Sequence, residues 1–140
     1  MCSSDLLNVA NRELRLHHGL QTFTTHPSIP PDQGGASAAS ELGMGVHGGT
    51  DETAVMLHLR PDLVDMSKAV RRIPEKIAEN RYVRFGGTVS FGWLSNDFFP
   101  EGHIGDPTHA TADMGKTMFE SAVTNFVAAL GEVAAFNFGR

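Results

Sequence analysis

Cysteine, basic residues and long hydrophobic runs are all scarce in this sequence. Cys2 is the only cysteine, so no disulfide can form within the chain, as is typical of a protein from a reducing compartment. The 11 basic residues leave a net charge of −5, which gives no basic surface for nucleic acid. No hydrophobic run approaches the roughly 20 residues of a membrane span, and residues 1–6 lack the pattern of a signal peptide. We expect a cytoplasmic protein that binds neither nucleic acid nor membranes.

What is present is the composition of a globular domain, with 41% hydrophobic and 19% charged residues. Apolar residues at helical spacing over 7–14 predict a first helix that ends at Gly19. A second predicted helix, over 51–59, ends before a proline, because proline disfavours helical geometry in the residue that precedes it. Asp106 and Pro107 suit the N-cap and first position of a long last helix, whose broad apolar stripe indicates burial in a core. The side chains that the second helix is expected to bury are Ala54, Val55, Leu57 and Leu59.

Strand signals are weaker than helix signals. Residues 20–25 are rich in β-formers and predict one strand, while residues 82–94 predict short irregular strands broken by glycines. Prolines, glycines and serines over 26–45 predict a loop that is too long for a simple connection. The pattern is therefore α/β but incomplete, because a parallel sheet needs several crossover units.

The segment around His47 has the features of a functional loop. Gly48 and Gly49 follow the histidine, and without a Cβ their backbone can pass close to a ligand. Asp51 and Glu52 then place negative charge at the start of the second helix, where it interacts favourably with the helix dipole. A polar loop is thus mounted on a short helix, which is the usual way that chemistry is positioned.

For several residues the sequence allows two interpretations. His47 taken alone is either a loop histidine without chemistry or a proton donor. Glu52 either stabilises the helix start or orients His47. Asp106 is either a helix N-cap or a carboxylate that lines a site. Trp93, the only tryptophan, is either part of the core or a surface on which a planar substrate stacks. The five basic residues Arg71, Arg72, Lys76, Arg81 and Arg84 are interpreted as a solvated face.

The seven histidines lack the spacing of metal ligands. They contain no H-x-H pair, no helical i, i+4 pair and no H-E-x-x-H motif. A metal site made entirely within the chain would therefore need convergence of residues that are distant in sequence.

Three segments carry a family resemblance, and they occur in the family's order. Residues 47–66, HGGTDETAVMLHLRPDLVDM, resemble the His-Gly-Gly (or His-Ala-Gly), Glu-Thr, Met-Leu, Arg-Pro-Asp-Leu-Val-Asp stretch of the creatininase (creatinine amidohydrolase) family. Residues 105–115 resemble the Gly-Asp-Pro-Thr-x-Ala-Thr-Ala-x-x-Gly turn that opens the last helix of that family. Residues 8–15 are similar to the helix that follows the family's Gly-His-Gly-Gly-Asn metal loop. The sequence is thereby identified as a member of this family.

The resemblance implies a fold and a reaction. The family fold is a three-layer α/β/α sandwich, and residues 7–140 look like the C-terminal half of it, with residues 1–6 as a leader outside the family. The implied parent protein is a metal-dependent amidohydrolase and homo-oligomer that hydrolyses a non-peptide or cyclic C–N amide bond of a small molecule. Val46 stands where creatininase itself often has glutamate, so creatinine is not specified as the substrate.

The resemblance also implies roles for individual residues. His47 stands at the position of the family histidine that protonates the leaving nitrogen, and Glu52 matches the family's Glu-Thr pair. We take these two residues as catalytic candidates. The candidates for substrate contact are Gly48, Gly49, Trp93 and Asp106.

The metal ligands of the family are not matched. They belong to an earlier Glu-x-His and Asp motif and to the metal loop, and none of those positions is present. We therefore expect a divalent metal, zinc or manganese, in the full-length protein and none in this chain alone. The alternative is an inactive fragment or a subunit-association module that has no catalysis of its own.

Overall fold

The computed structural model describes residues 3–25 and 39–139. The chain forms two compact units, one made of Met1–Ser28 with Asn125–Arg140 and the other of Ile29–Thr124. Short 3-10 turns connect many of the helices. No helix within the described ranges is long and apolar enough to cross a membrane. The α-helices are α1 (Ser3–His18), α2 (Thr50–Leu59), α3 (Glu75–Ala78) and α4 (Ala112–Ala135).

The first helix ends where the sequence predicts. Gly19 follows the last helical residue with a φ of +64°, the left-handed conformation that glycine adopts without steric cost. Its amide donates to the Arg15 carbonyl at 3.2 Å, and the Arg15 guanidinium donates to the Gly19 carbonyl at 3.0 Å. These two bonds satisfy backbone groups that a helix end leaves free.

The predicted strands are wrong for the part of the chain that the structure describes. Residues 20–25 belong to no strand, and residues 82–94 contain only one isolated β-bridge, between Val83 and Val89. The other two bridges join His47 to Ile104 and Arg72 to Gly105. β-formers become a strand only when another backbone pairs with them, and here the pairing stops after single bridges. The three-layer sandwich is therefore not seen among the described residues.

The second helix is confirmed, and its burial is more selective than expected. Ala54 is fully buried and forms a core cluster with Ala110 and Met118. Leu59, by contrast, is 45% exposed, so its predicted burial is wrong. Val55 and Leu57 are partly buried and pack against this cluster.

The last helix begins later than predicted. Asp106 caps a 3-10 turn over Pro107–His109, not α4. Helix α4 starts at Ala112, and the Thr111 hydroxyl accepts a bond from the Met114 amide at 3.2 Å. Its apolar stripe is also less buried than expected, because only Gly115 and Met118 of this helix are buried. Only this first part of α4 reaches the core cluster.

Candidate active site

His47 is held by its backbone. The Val46 and His47 amides both donate to the Ile104 carbonyl, at 2.8 and 3.1 Å, and the Ile104 amide donates to the His47 carbonyl at 2.9 Å. Gly48 then turns the chain with a φ of +64°. A Cβ at Gly48 would lie 3.3 Å from the Cβ of His103, so the loop fits closely against its neighbour. The half-buried His47 side chain therefore projects from a fixed backbone.

An aromatic cluster lies beside the His47 ring. The ring centroids of His47 and Trp93 are 5.8 Å apart, with an angle of 42° between the planes. Phe85 packs edge-on against Trp93 at 4.8 Å, and Phe91 and Phe98 contact Phe85. The half-buried phenylalanines therefore shelter one another within the chain, and Trp93 joins them to the histidine.

The Glu52 side chain contacts the backbone of the His47 loop. The Glu52 carboxylate accepts a hydrogen bond from the Gly48 amide at 2.5 Å. It lies in the first turn of α2 together with Asp51. Both sequence interpretations of Glu52 fit this position, since the same carboxylate lies at the helix N-terminus and ties down the residue after His47.

Sequence reasoning missed a buried carboxylate at Glu41. This side chain is only 2% exposed, and its Oε1 accepts from the amides of Thr50 at 2.9 Å and Asp106 at 2.8 Å. The Thr50 hydroxyl in turn donates to the Asp106 carbonyl at 2.6 Å. Glu41 lies in a segment whose composition predicts only a loop. The available signal was a single acidic residue among small residues, six positions before the histidine.

Glycines make room for the Glu41 carboxylate. A Cβ at Gly45 or at Gly49 would overlap the Glu41 carboxyl group. A Cβ at Gly105 would overlap the backbone of Gly49. Only glycine fits at these three positions, because a neighbouring group approaches each backbone closely. Gly49 therefore has a packing role as well as any role in ligand binding.

The segment that carries Glu41 is braced by arginines. Arg71 Nε donates to the Ser40 carbonyl at 3.0 Å, and an Arg84 terminal nitrogen donates to the Leu42 carbonyl at 2.5 Å. Arg84 also donates to the Ala78 carbonyl at 2.9 Å. The basic residues that the sequence predicts to be a solvated face thus include two that hold the backbone on either side of Glu41.

Asp106 is almost fully buried, at 1% exposure. Its Oδ1 accepts from the Thr108 amide at 3.2 Å and from the Thr108 hydroxyl. Its Oδ2 has no hydrogen-bond partner among the described residues and lies 3.8 Å from His109 Nε2. Burial acts to raise the pKa of Asp106, but the neighbouring Ser40 and Thr108 side chains stabilise the charged form and lower the pKa overall.

A small acidic cavity adjoins the loop. It has a volume of about 70 Å³ and is lined by Glu41, Gly45, Val46, Gly49, Asp51 and Glu52. Burial, followed by the charges of Glu41 and Glu52, raises the pKa of Asp51. Within residues 3–25 and 39–139, no group of three or more His, Cys, Asp or Glu residues could hold a metal ion. These residues therefore do not fit the metal centre that the family resemblance implies.

The structure brings most of the predicted site residues together. His47, Gly48, Glu52 and Trp93 are linked by direct contacts. Gly49 adjoins them in the chain and packs against Glu41. Asp106 does not join this group directly but is connected to it through Glu41 and Thr50.

The fold of the chain resembles that of solved proteins about twice its length. The chain resembles the crystal structure of a candidate creatinine amidohydrolase from Bacteroides fragilis NCTC 9343, with a TM-score of 0.67 and 19% identity, over 100% of this chain and 52% of that one. It also resembles a Trp-to-Phe variant of creatininase, with a TM-score of 0.52 and 24% identity, over 90% of this chain and 48% of that one. The chain thus spans about half the length of these solved proteins.

No curated protein matches the chain. The sequence profile of the family described as Creatininase (creatinine amidohydrolase) matches residues 3–130, which is most of the chain. That match includes α1, the His47 loop and most of α4. The chain belongs to the creatininase family.

Proposed function

We propose that this chain forms the proton-donor part of an amidohydrolase site that cleaves a non-peptide or cyclic C–N amide bond. The observation that carries the proposal is the placement of His47, which lies in a hydrogen-bonded loop with its ring against Trp93. Family membership supports hydrolysis as the reaction class. Glu52 supports the loop through the Gly48 amide.

The proposed step is protonation of the leaving nitrogen. When water adds to the amide carbon, the C–N bond can break only if the departing nitrogen gains a proton. A protonated imidazole at His47 donates that proton and becomes neutral, which is the role of a general acid. Zinc or manganese in the whole protein is part of the proposal. The described residues do not fit a metal centre, so the ligands for it would come from elsewhere in the whole protein.

The substrate would bind between the loop and the aromatic cluster. Gly48 and Gly49 stay predicted contacts of the substrate, although the Glu41 carboxylate fills the space that the missing Cβ of Gly49 leaves. Trp93 offers a face on which a planar amide can stack. Asp106 stays a predicted site residue. Because its carboxylate is buried and bonded to Thr108, it would act by fixing the turn at residues 105–108.

The architecture and assembly of the whole protein are also proposals. We expect the three-layer α/β/α sandwich in a protein about twice as long, since the solved structures that this chain resembles are about that long. We expect that protein to be a cytoplasmic homo-oligomer with residues 82–94 at a subunit contact. Light scattering of the full-length protein tests the assembly.

Substitution of His47 tests the function. In an amide-hydrolysing protein that carries this sequence, His47→Ala should lower kcat by roughly 10²–10⁴-fold, which is the usual contribution of a general acid. Bound metal should not change, because His47 is not proposed as a ligand. The assay uses creatinine and substituted formamides, with metal content measured in parallel.

His18→Ala is the matched control, since His18 lies exposed at the end of α1 and has no proposed role. Turnover by the His47 variant that equals the parent's, at equal metal content, would contradict the assignment.

A second candidate function is a subunit-association module without catalysis. It is favoured by one observation, namely that the described residues contain no group of metal-ligating side chains. The same assay separates the two proposals. A metal-loaded parent protein that hydrolyses no amide of the panel would favour association.

A further inference from the structure

We infer that Glu41 is a positioning residue that fixes the His47 loop from both of its ends. Its consequence for catalysis rests on the proposed function, whereas its consequence for the loop does not. The inference comes from one buried residue that precedes His47, whose carboxylate bonds Thr50 after the loop and Asp106 across it.

The contacts of Glu41 enclose the histidine. Before the loop, the Glu41 carbonyl accepts from the buried Met44 amide at 2.7 Å. After the loop, Glu41 Oε1 accepts from the Thr50 amide at 2.9 Å. Across the loop, the same oxygen accepts from the Asp106 amide at 2.8 Å, two residues from the Ile104 bridge to His47. The Glu41 side chain thus joins the segment before His47, to which Glu41 itself belongs, to Thr50 after the loop and to Asp106 across it.

The surroundings are shaped for this carboxylate. Gly45 and Gly49 both lack the Cβ that would overlap it. Arg71 and Arg84 hold the carbonyls of the residues on either side of Glu41. Burying a carboxyl group is costly unless hydrogen bonds compensate, and removing a bonded buried acceptor leaves its donors unsatisfied. Loss of Glu41 should therefore release Thr50 and Asp106 from their common anchor.

The first test follows the loop by NMR and does not depend on activity. In the 140-residue chain, Glu41→Ala should increase amide exchange at Thr50 and Asp106 by roughly tenfold or more, because both amides lose a charged acceptor. The ring contact between His47 and Trp93 should be lost. Glu41→Gln should restore much of the protection of these two amides and of the ring contact, since the glutamine amide oxygen can still accept hydrogen bonds.

Two controls separate positioning from general stability. Glu79→Gln removes an exposed carboxyl group from the same unit and should leave exchange and the ring contact unchanged. Met118→Ala opens the core cluster and lowers stability, yet it should preserve the ring contact. Unchanged exchange in Glu41→Ala would overturn the inference. Equal loss of the ring contact in Met118→Ala would overturn it as well.

A variant that keeps the charge provides a second route if Glu41→Ala does not fold. Gly45→Ala adds a Cβ that overlaps the Glu41 carboxyl group, so it should displace the carboxylate and increase exchange at Thr50 and Asp106. Exchange at both amides that stays at the parent's level would overturn the inference.

The kinetic test uses an amide-hydrolysing protein that carries this sequence. Glu41→Ala should lower kcat at least tenfold while changing KM much less, and Glu41→Gln should recover part of the loss. A loss confined to KM would overturn the catalytic consequence. If the parent hydrolyses no amide, the proposed function fails, and the NMR test still decides whether Glu41 holds the loop.

Discussion

At the scale of single residues, the sequence reveals exposed chemistry better than buried chemistry. His47 and Glu52 stand out because a histidine next to glycines and an acidic helix start are local patterns. Glu41 does not stand out, because its importance comes from hydrogen bonds to Thr50 and Asp106, which are 9 and 65 positions away. A loop composition says nothing about such contacts, so the residue that connects the site could only be found from the fold.

Asp51 gives a prediction at this scale. Its pKa is raised by burial and by the charges of Glu41 and Glu52, so the folded chain binds this proton more tightly than the unfolded chain. The ionised form therefore costs stability at neutral pH, and that cost disappears as the pH falls through the raised pKa to below the ordinary value of 3.8. Asp51→Asn should be more stable than the parent at pH 7, and the difference should vanish near about pH 3.5.

Urea denaturation at the two pH values measures this difference. Asp113→Asn is a suitable control, because Asp113 is exposed in the first turn of α4, where its charge is favourable by roughly 0.3–1 kcal/mol. Loss of this charge in Asp113→Asn should lower the stability of the chain at neutral pH. An Asp51 variant that is less stable than the parent at pH 7 would show that attraction to the helix dipole outweighs the crowding of carboxylates.

At the scale of elements, helices were predictable and strands were not. The spacing over 7–14 and the glycine at 19 locate α1, and the proline after residue 60 marks the end of α2. Both signals are local. The β-formers over 20–25 form no strand, and the bridge of His47 joins segments that no local pattern connects. The delayed start of α4 has a similar origin, since a 3-10 turn and a helix begin with the same Asp-Pro signal.

The contact between α2 and α4 gives the prediction for elements. A Cβ at Gly115 would overlap the Ala54 carbonyl and approach the Val55 amide. Gly115→Ala should therefore destabilise the chain by about 1–3 kcal/mol, as overpacking usually does. Alanine is otherwise the better helix former. A loss of stability in Gly115→Ala would therefore show that α4 approaches the Ala54 carbonyl closely.

Gly131→Ala is the matched control in the same helix. A Cβ there meets nothing within 4 Å, so this variant should gain about 0.5–1 kcal/mol from helix propensity. Thermal or urea unfolding of both variants provides the measurement. Stabilisation by both substitutions would mean that the two helices do not pack closely at Gly115.

At the scale of the whole molecule, family membership was predictable and architecture was only partly so. The motif residues at 47–66 and 105–115 identify the family, and the profile match agrees. The layers of a sandwich require several paired strands, whereas residues 3–25 and 39–139 contribute single bridges and helices with exposed apolar residues, such as Leu6 and Leu16 at 74% each. A chain that corresponds to about half of a solved relative cannot reveal the sheet order of the whole.

Metal binding gives the prediction for the whole molecule. A catalytic zinc site typically uses three protein ligands and keeps one position open, and a pair of metal ions needs more ligands, some of them shared. In the described part of the chain no group of three or more His, Cys, Asp or Glu residues could hold a metal ion. Glu41, Asp51 and Glu52 line one cavity, but its volume is only about 70 Å³. Glu41 already bonds two backbone amides there.

We therefore expect the 140-residue chain by itself to bind no pair of divalent ions tightly and to hydrolyse no amide, because His47 would have no activated substrate to protonate. Calorimetric titration with zinc and with manganese, followed by the amide panel, measures both properties. His47→Ala serves as the specificity control. Stoichiometric submicromolar binding, together with hydrolysis that His47→Ala abolishes, would make the chain a complete enzyme and would require metal ligands that do not converge in the described structure.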